Sequence, residues 1–145
     1  MPMSRIRINL PDAFNFSAKI PVRITDINYG GHVGNDTILS IIHEARVQFL
    51  RHFGFSEMDL AGVGLILSDV GIEFRHELFY EDVIVASIKA MEFSKVGFDI
   101  YYKLERERDN ARTLIAAAKT GIVCYDYTNR KIVSVPEVVR ATLSA

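Results

Sequence analysis

Apolar and polar residues alternate from Phe14 to Ile24. Phe16, Ala18, Ile20, Val22 and Ile24 interleave with Asn15, Ser17, Lys19, Pro21 and Arg23. A period of two places one set on each face of a strand, so a half-buried strand is predicted here. Pro21 has no N–H to give a sheet ladder, which puts that strand at an edge. The period then changes. Ile38, Ile41, Ile42, Ala45, Phe49 and Phe53 recur at helical spacing, with Leu39, Val47 and Leu50 widening the stripe, and predict a helix over Asp36–Phe53. Asn35 or Asp36 suits its cap and Gly54 its end. A stripe this broad fits a helix that a sheet wraps rather than one lying on a surface.

The rest of the chain reads mainly as strands. They are predicted at Leu65–Phe79 (bent near Gly71), Val83–Phe93, Val96–Arg106 and, after a turn at Asp109-Asn110, Thr113–Tyr127. Ala116, Ala117, Ala118 and Gly121 in the last are small enough for a helix to approach closely. Pro136 suits the start of a short helix at Glu137–Leu143. Residues 1–12 form an arm punctuated by Pro11 and Asp12. One strand, one long helix and four long strands imply a large twisted antiparallel sheet. Its concave face must cover something apolar, and the helix is the candidate. The fold class is therefore α+β, a long central helix wrapped by a five-stranded antiparallel sheet. Such an open sheet leaves edges, and a two-fold dimer through one of them is expected.

A length of 145 residues suits one domain, 1–145. The net charge of -1 carries neither the basic footprint expected for nucleic acid nor a polybasic membrane anchor. No apolar run approaches the ~20 residues that span a bilayer, and the first residues lack a signal-peptide core. A soluble, cytoplasmic protein is expected. The single cysteine, Cys124, cannot form an internal disulfide and suits a packing role on a strand. His43, His52 and His76 show no metal-ligand spacing, so no metal is inferred.

The chemistry is expected in the segment Asp26–Asn35, DINYGGHVGN, where three glycines and two asparagines permit tight turns. The stretch from Val22 to Gly54 resembles hotdog-fold thioesterases of the 4-hydroxybenzoyl-CoA and acyl-CoA type. Their pattern D-x-D-x-x-G-H-V-x-N, followed by a helix containing E-A-R, is met by Asp26, Gly31, His32, Val33, Asn35, Glu44, Ala45 and Arg46. The resemblance spans about the whole domain and implies hydrolysis of an acyl-CoA to a free acid and CoA thiol. No cofactor is implied beyond the CoA of the substrate. It also implies a homodimer or homotetramer with active sites at the dimer interface.

One position departs from the pattern: Asn28 stands where the family has its catalytic aspartate, and an amide cannot serve as a general base. Three carboxylates then compete. Asp26 would share a side with Asn28 in an extended segment, so that Asp26 supplies the base while Asn28 orients water or the carbonyl. Glu44 is a helix carboxylate of the kind some hotdog thioesterases use. Asp36 lies at the helix start, where a cap is the simpler role. His32 is expected to line or brace the site. By the resemblance, the N–H groups of Gly34 and Asn35 polarise the thioester carbonyl. Lys95, in a turn between strands, is placed beside the CoA phosphates. Two alternatives remain open: a non-hydrolytic module binding acyl-CoA or acyl carrier protein, which Asn28 favours, and a hotdog hydratase or dehydratase, whose motif context is poorly matched.

Overall fold

The computed structural model describes residues 5–145; the first four residues of the expected arm lie outside them. The elements run β1 (Phe16–Pro21), a 3-10 turn (Ile24–Asp26), α1 (Asn35–His52), β2 (Gly64–Phe74), β3 (Val83–Met91), β4 (Gly97–Arg108), β5 (Ala111–Asp126), β6 (Lys131–Ile132) and α2 (Glu137–Ser144). The antiparallel sheet has the order β1-β3-β4-β5-β2. It carries one strand more than expected: the two-residue β6 pairs with β5 at Tyr125 and Asp126, beyond the point where β4 begins opposite Val123. α1 lies against the concave face, which is the hotdog arrangement.

The alternation predicted for the strands holds across that face. Ile84, Ala86, Ile88 and Ala90 of β3, Phe98, Ile100, Tyr102 and Leu104 of β4, and Ala116, Ala118, Ile122 and Cys124 of β5 all enter one core. Phe49 and Leu50 of α1 are fully buried in it, and Val139 and Leu143 of α2 close one end. Burial pushes the Cys124 thiol up, so it stays protonated as a packing group. The hairpin at Asp109 and Asn110 has φ of 54° and 63°, as a two-residue turn between twisted strands requires.

Several boundaries differ from those predicted. β1 stops at Pro21 because the chain then winds into the 3-10 turn. β2 stops at Phe74, where Arg75 N and His76 N both donate to one carbonyl, that of Ile115, and the ladder ends. Its irregularity lies between Leu67 and Asp69 rather than at Gly71. Gly121, opposite, makes room for that bulge, since a Cβ there would collide with the Ser68 and Asp69 side chains. Gly71 serves the arm instead: Ile6 and Ile8 lie over it, and Ile8 N donates to Glu73 Oε1 at 3.0 Å. The small β5 residues do not draw the helix in. α1 comes closest to β1 and β3, while Ala117 and Gly121 face away from the core.

Among the described residues no helix is long and apolar enough to cross a membrane. Phe49→Ala is expected to cost about 3–5 kcal/mol, because the cavity would open where the last turn of α1 is fully buried. Ile88→Val should cost only about 1 kcal/mol. Urea unfolding midpoints of the two variants check both values.

Candidate functional site

The segment from β1 to α1 is held by its own polar side chains. Asp26 is buried, with Oδ2 accepting from Arg23 N at 2.8 Å and Oδ1 from Arg23 Nη2 at 3.3 Å. This closes the 3-10 turn. Asn28 is exposed and accepts from Gly30 N at 2.9 Å, while its own N–H donates to the His32 carbonyl at 3.0 Å. The turn breaks the extended geometry that would have aligned the two residues. Asp26 reaches back along the chain and Asn28 reaches forward. His32 has Nδ1 3.1 Å from the Val33 carbonyl and Nε2 3.8 Å from Glu77 Oε1.

The cap of α1 is Gly34, one residue before those predicted, and it provides no side-chain cap. Its carbonyl accepts from Thr37 and Ile38 N–H. A Cβ on Gly34 would lie 2.6 Å from Asp36 Oδ1, so only glycine leaves Asp36 in place. The N–H groups of Gly34, Asn35 and Asp36 donate to no group among the described residues. Free N–H groups at a helix start attract negative charge. Asn35 lines a cleft of about 310 Å3 together with His32, Ile38, Phe74, Arg75 and Leu78. Asp36 is exposed beside it.

Both other carboxylate candidates line a second cleft, of about 370 Å3, between β1 and α1. Glu44 is exposed there and accepts from Gln48 Nε2 at 2.7 Å. Nine residues separate Asn35 from Glu44. At roughly 100° and 1.5 Å per residue they sit on opposite sides of α1, about 13 Å apart along its axis. Within one chain, Glu44 and the helix-start N–H groups therefore face different clefts. Lys95 is further away. It lies in the β3–β4 turn, beyond the Phe16 end of β1, whereas the Asp26 segment follows the Pro21 end. β3 between those ends spans about 26 Å at roughly 3.3 Å per residue. Arg75, at the 310 Å3 cleft and paired with Glu73 at 2.6 Å, is a cation beside the helix start that sequence reasoning missed. Its position depends on where β2 ends.

A buried polar chain was also missed. Arg46, 4% exposed, donates through Nε to Glu57 Oε2 at 3.0 Å and through Nη1 to the Tyr102 hydroxyl at 3.3 Å. Tyr102 in turn lies 2.7 Å from Thr120 Oγ1. His43 Nε2 is 2.8 Å from the other oxygen of Glu57. Burial works against the charged form of Glu57, but hydrogen bonds from Arg46 and His43 outweigh it and hold its carboxyl below the usual range. Burial pushes the Tyr102 phenol up, so it keeps its proton. Only the E-A-R match hinted at Arg46; its two partners come from the loop after α1 and from β4. No group of His, Cys, Asp and Glu among the described residues is arranged to hold a metal ion.

Comparison with known proteins gives a consistent result. The Thioesterase-like superfamily profile matches residues 22–143. The chain is 31% identical over 119 residues to a 1,4-dihydroxy-2-naphthoyl-CoA hydrolase of Microcystis aeruginosa, covering 80% of this chain and 83% of that one. It is 31% identical over 124 residues to an Aquifex aeolicus protein bearing a provisional esterase name, covering 84% and 92%. Among solved structures, a hypothetical protein from Aquifex aeolicus superposes with a TM-score of 0.79 at 27% identity, covering 90% of this chain and 100% of that one. A 4-hydroxybenzoyl-CoA thioesterase variant solved with 4-hydroxybenzoyl-CoA superposes with a TM-score of 0.80 at 16% identity, covering 89% and 98%, a likeness of fold.

The ion pair of Arg46 and Glu57 makes a stability prediction. The folded-state carboxyl titrates below its unfolded value, near 4.3. Its contribution is therefore present above that pH and lost as pH falls through the folded value. Glu57→Gln should cost about 3 kcal/mol at pH 7, because it leaves a buried guanidinium without its counter-charge. The gap from wild type should shrink below about pH 4. Urea unfolding from pH 3 to 8 reads both.

Proposed function

Because the chain belongs to the thioesterase-like superfamily, we propose that it is an acyl-CoA thioesterase, hydrolysing an acyl-CoA to the free acid and CoA thiol. The observation that carries this reading is the uncapped start of α1. Its N–H groups are without acceptors among the described residues and border a cleft. Donors preorganised in this way suit the oxyanion that forms when water attacks a thioester carbonyl. A carboxylate takes the proton from that water as the C–O bond forms. The C–S bond then breaks and the thiolate leaves, taking up a proton.

Glu44 fits the base better than Asp26. Both Asp26 oxygens already hold Arg23, whereas Glu44 is exposed and bonded only to Gln48. Glu44 and the helix-start donors face opposite sides of α1, so the complete site needs a second copy. The outer edge of β2 is unpaired, and Leu67, Val70 and Phe74 on it, with Leu39 on α1, are exposed apolar residues. A two-fold dimer continuing the sheet through β2 would cover them. Asn28 shapes the turn, His32 lines the cleft, and Asp36 lies exposed at the helix start. Arg75 rather than Lys95 is the nearer cation for a CoA phosphate.

A second reading, a non-hydrolytic module for acyl-CoA or acyl carrier protein, is favoured by Asn28 at the position of the expected aspartate. Thiol release from short, long and aromatic acyl-CoAs separates the two. Under the first reading wild type turns over. Glu44→Gln should then lower kcat by about 10²–10⁴ with KM little changed, and Asp26→Asn should have a smaller effect. Tight binding of acyl-CoA without turnover favours the second reading. Arg75→Ala should raise KM for CoA substrates about tenfold with kcat retained. Unchanged KM would reject that contact.

A further inference from the structure

The arm before β1 crosses the outer face of the sheet. The Lys103 ammonium of β4 stands 5.9 Å from the centre of the Phe14 ring. Further back along the arm, Ile8 N donates to Glu73 Oε1 of β2 at 3.0 Å. Ile6 and Ile8 sit over Gly71, where a Cβ would lie 3.3 Å from Ile8 Cδ1. Glycine therefore gives the arm its seat. Between the seated arm and the last residues of β2 runs a groove of about 430 Å3.

Arg5 and Arg7 of the arm and Arg75 just beyond β2 line this groove, and Glu73 is the one carboxylate among its lining residues. Glu73 is already engaged. Its Oε1 accepts from Ile8 N, and its Oε2 pairs with Arg75 Nη2 at 2.6 Å. The Ile8 N–H, with Arg75 and Arg7 nearby, holds this carboxyl below its usual range, so it stays ionised. Arg5 and Arg7 are exposed and pair with no carboxylate among the described residues. One negative charge thus faces three positive ones, and a groove lined mainly by one sign of charge draws the opposite sign. Guanidinium forks match the oxygens of phosphate groups. Ile6, Ile72 and Phe74 supply apolar wall beside those charges. An organic diphosphate meets both kinds of surface. Phe74 and Arg75 also line the cleft at the start of α1, so the two hollows adjoin.

We infer that the N-terminal arm, folded onto the end of β2, completes a binding groove for the diphosphate of a nucleotide, with Arg5, Arg7 and Arg75 as its anion-holding residues. Glu73 is a positioning residue: one oxygen fixes the arm and the other fixes Arg75. The arm is thus a working part of the molecule rather than a loose end. Two sources carry this chemistry, the nucleotide end of CoA and a free nucleotide such as ADP. The inference rests on the thioesterase reading only for the first of them, and phosphate binding can be read without turnover.

The test titrates the full chain calorimetrically with CoA, ADP and adenosine. Wild type should bind at least one of the two phosphorylated ligands and bind adenosine far more weakly. The double variant Arg5→Ala/Arg7→Ala should weaken that binding about tenfold. Ile8→Pro keeps every arginine but removes the N–H that fixes the arm to Glu73. It should weaken binding to a similar extent, whereas mere attraction to a positive chain would leave it unaltered. Acyl-CoA hydrolysis by the same variants then separates the sources. A KM raised together with the loss of CoA binding identifies the nucleotide end of the substrate. Loss of ADP binding with KM unaltered identifies a free nucleotide. If no thioester is hydrolysed, the thioesterase reading fails, yet binding of CoA or ADP that depends on the arm still upholds the groove. Absence of CoA and ADP binding in wild type, or binding that survives in either variant, overturns the inference.

Discussion

One helix cannot fill the concave face of a five-strand sheet. A helix with its side chains is about 10–12 Å across. Five strands with roughly 4.8 Å between neighbours span about 19 Å. The helix must lie to one side, and here α1 lies over β1 and β3. Fully buried small residues, Ala45 on the helix and Ala86 on β3, suit that close approach. The opposite side, over β5 and β2, is then under-filled. Both a cleft between α1 and β2, lined by Leu39 and Val70, and the exposed apolar residues of α1 and β2 follow from that mismatch.

The under-filled side also explains the buried charge. Arg46 points from α1 toward β4, and its stem and guanidinium occupy volume that aliphatic side chains would otherwise have to fill. A buried guanidinium is tolerable only with partners. Glu57 comes from the loop after α1, Tyr102 from β4 and Thr120 from β5. The network thus ties the helix to the sheet at the place where close packing does not. The chain of contacts runs from the arginine through Tyr102 to Thr120.

The polar turn before α1 obeys a different constraint. A side-chain cap would satisfy the first N–H groups of the helix and remove them from chemistry. Gly34 provides no such side chain, and the side chains around it are occupied elsewhere: Asp26 with Arg23, Asn28 with Gly30. The order of the turn is maintained by contacts that leave the helix-start donors free. Local stability and availability for chemistry are thus carried by different atoms of one short segment.

Periodicity alone determined the existence and type of every long element, because the period of side-chain exposure is a property of each strand or helix taken by itself. It also determined that Asp26 to Asn35 would turn sharply, since glycine and asparagine act within a few residues. The resemblance carried by His32, Val33 and Glu44-Ala45-Arg46 placed the chain in its family. Tertiary structure decided where strands end and which groups share a cleft. β2 ends because Arg75 and His76 both turn to one carbonyl 40 residues away, that of Ile115. Asp26 and Asn28 part because a 3-10 turn replaced an extended step. Lys95 and the turn before α1 lie at opposite ends because antiparallel register fixes which ends meet. The chain from Arg46 to Thr120 joins residues separated by 56 and 18 positions, and no local pattern can encode such a meeting. It exists only because packing the helix against one side of the sheet leaves room for it.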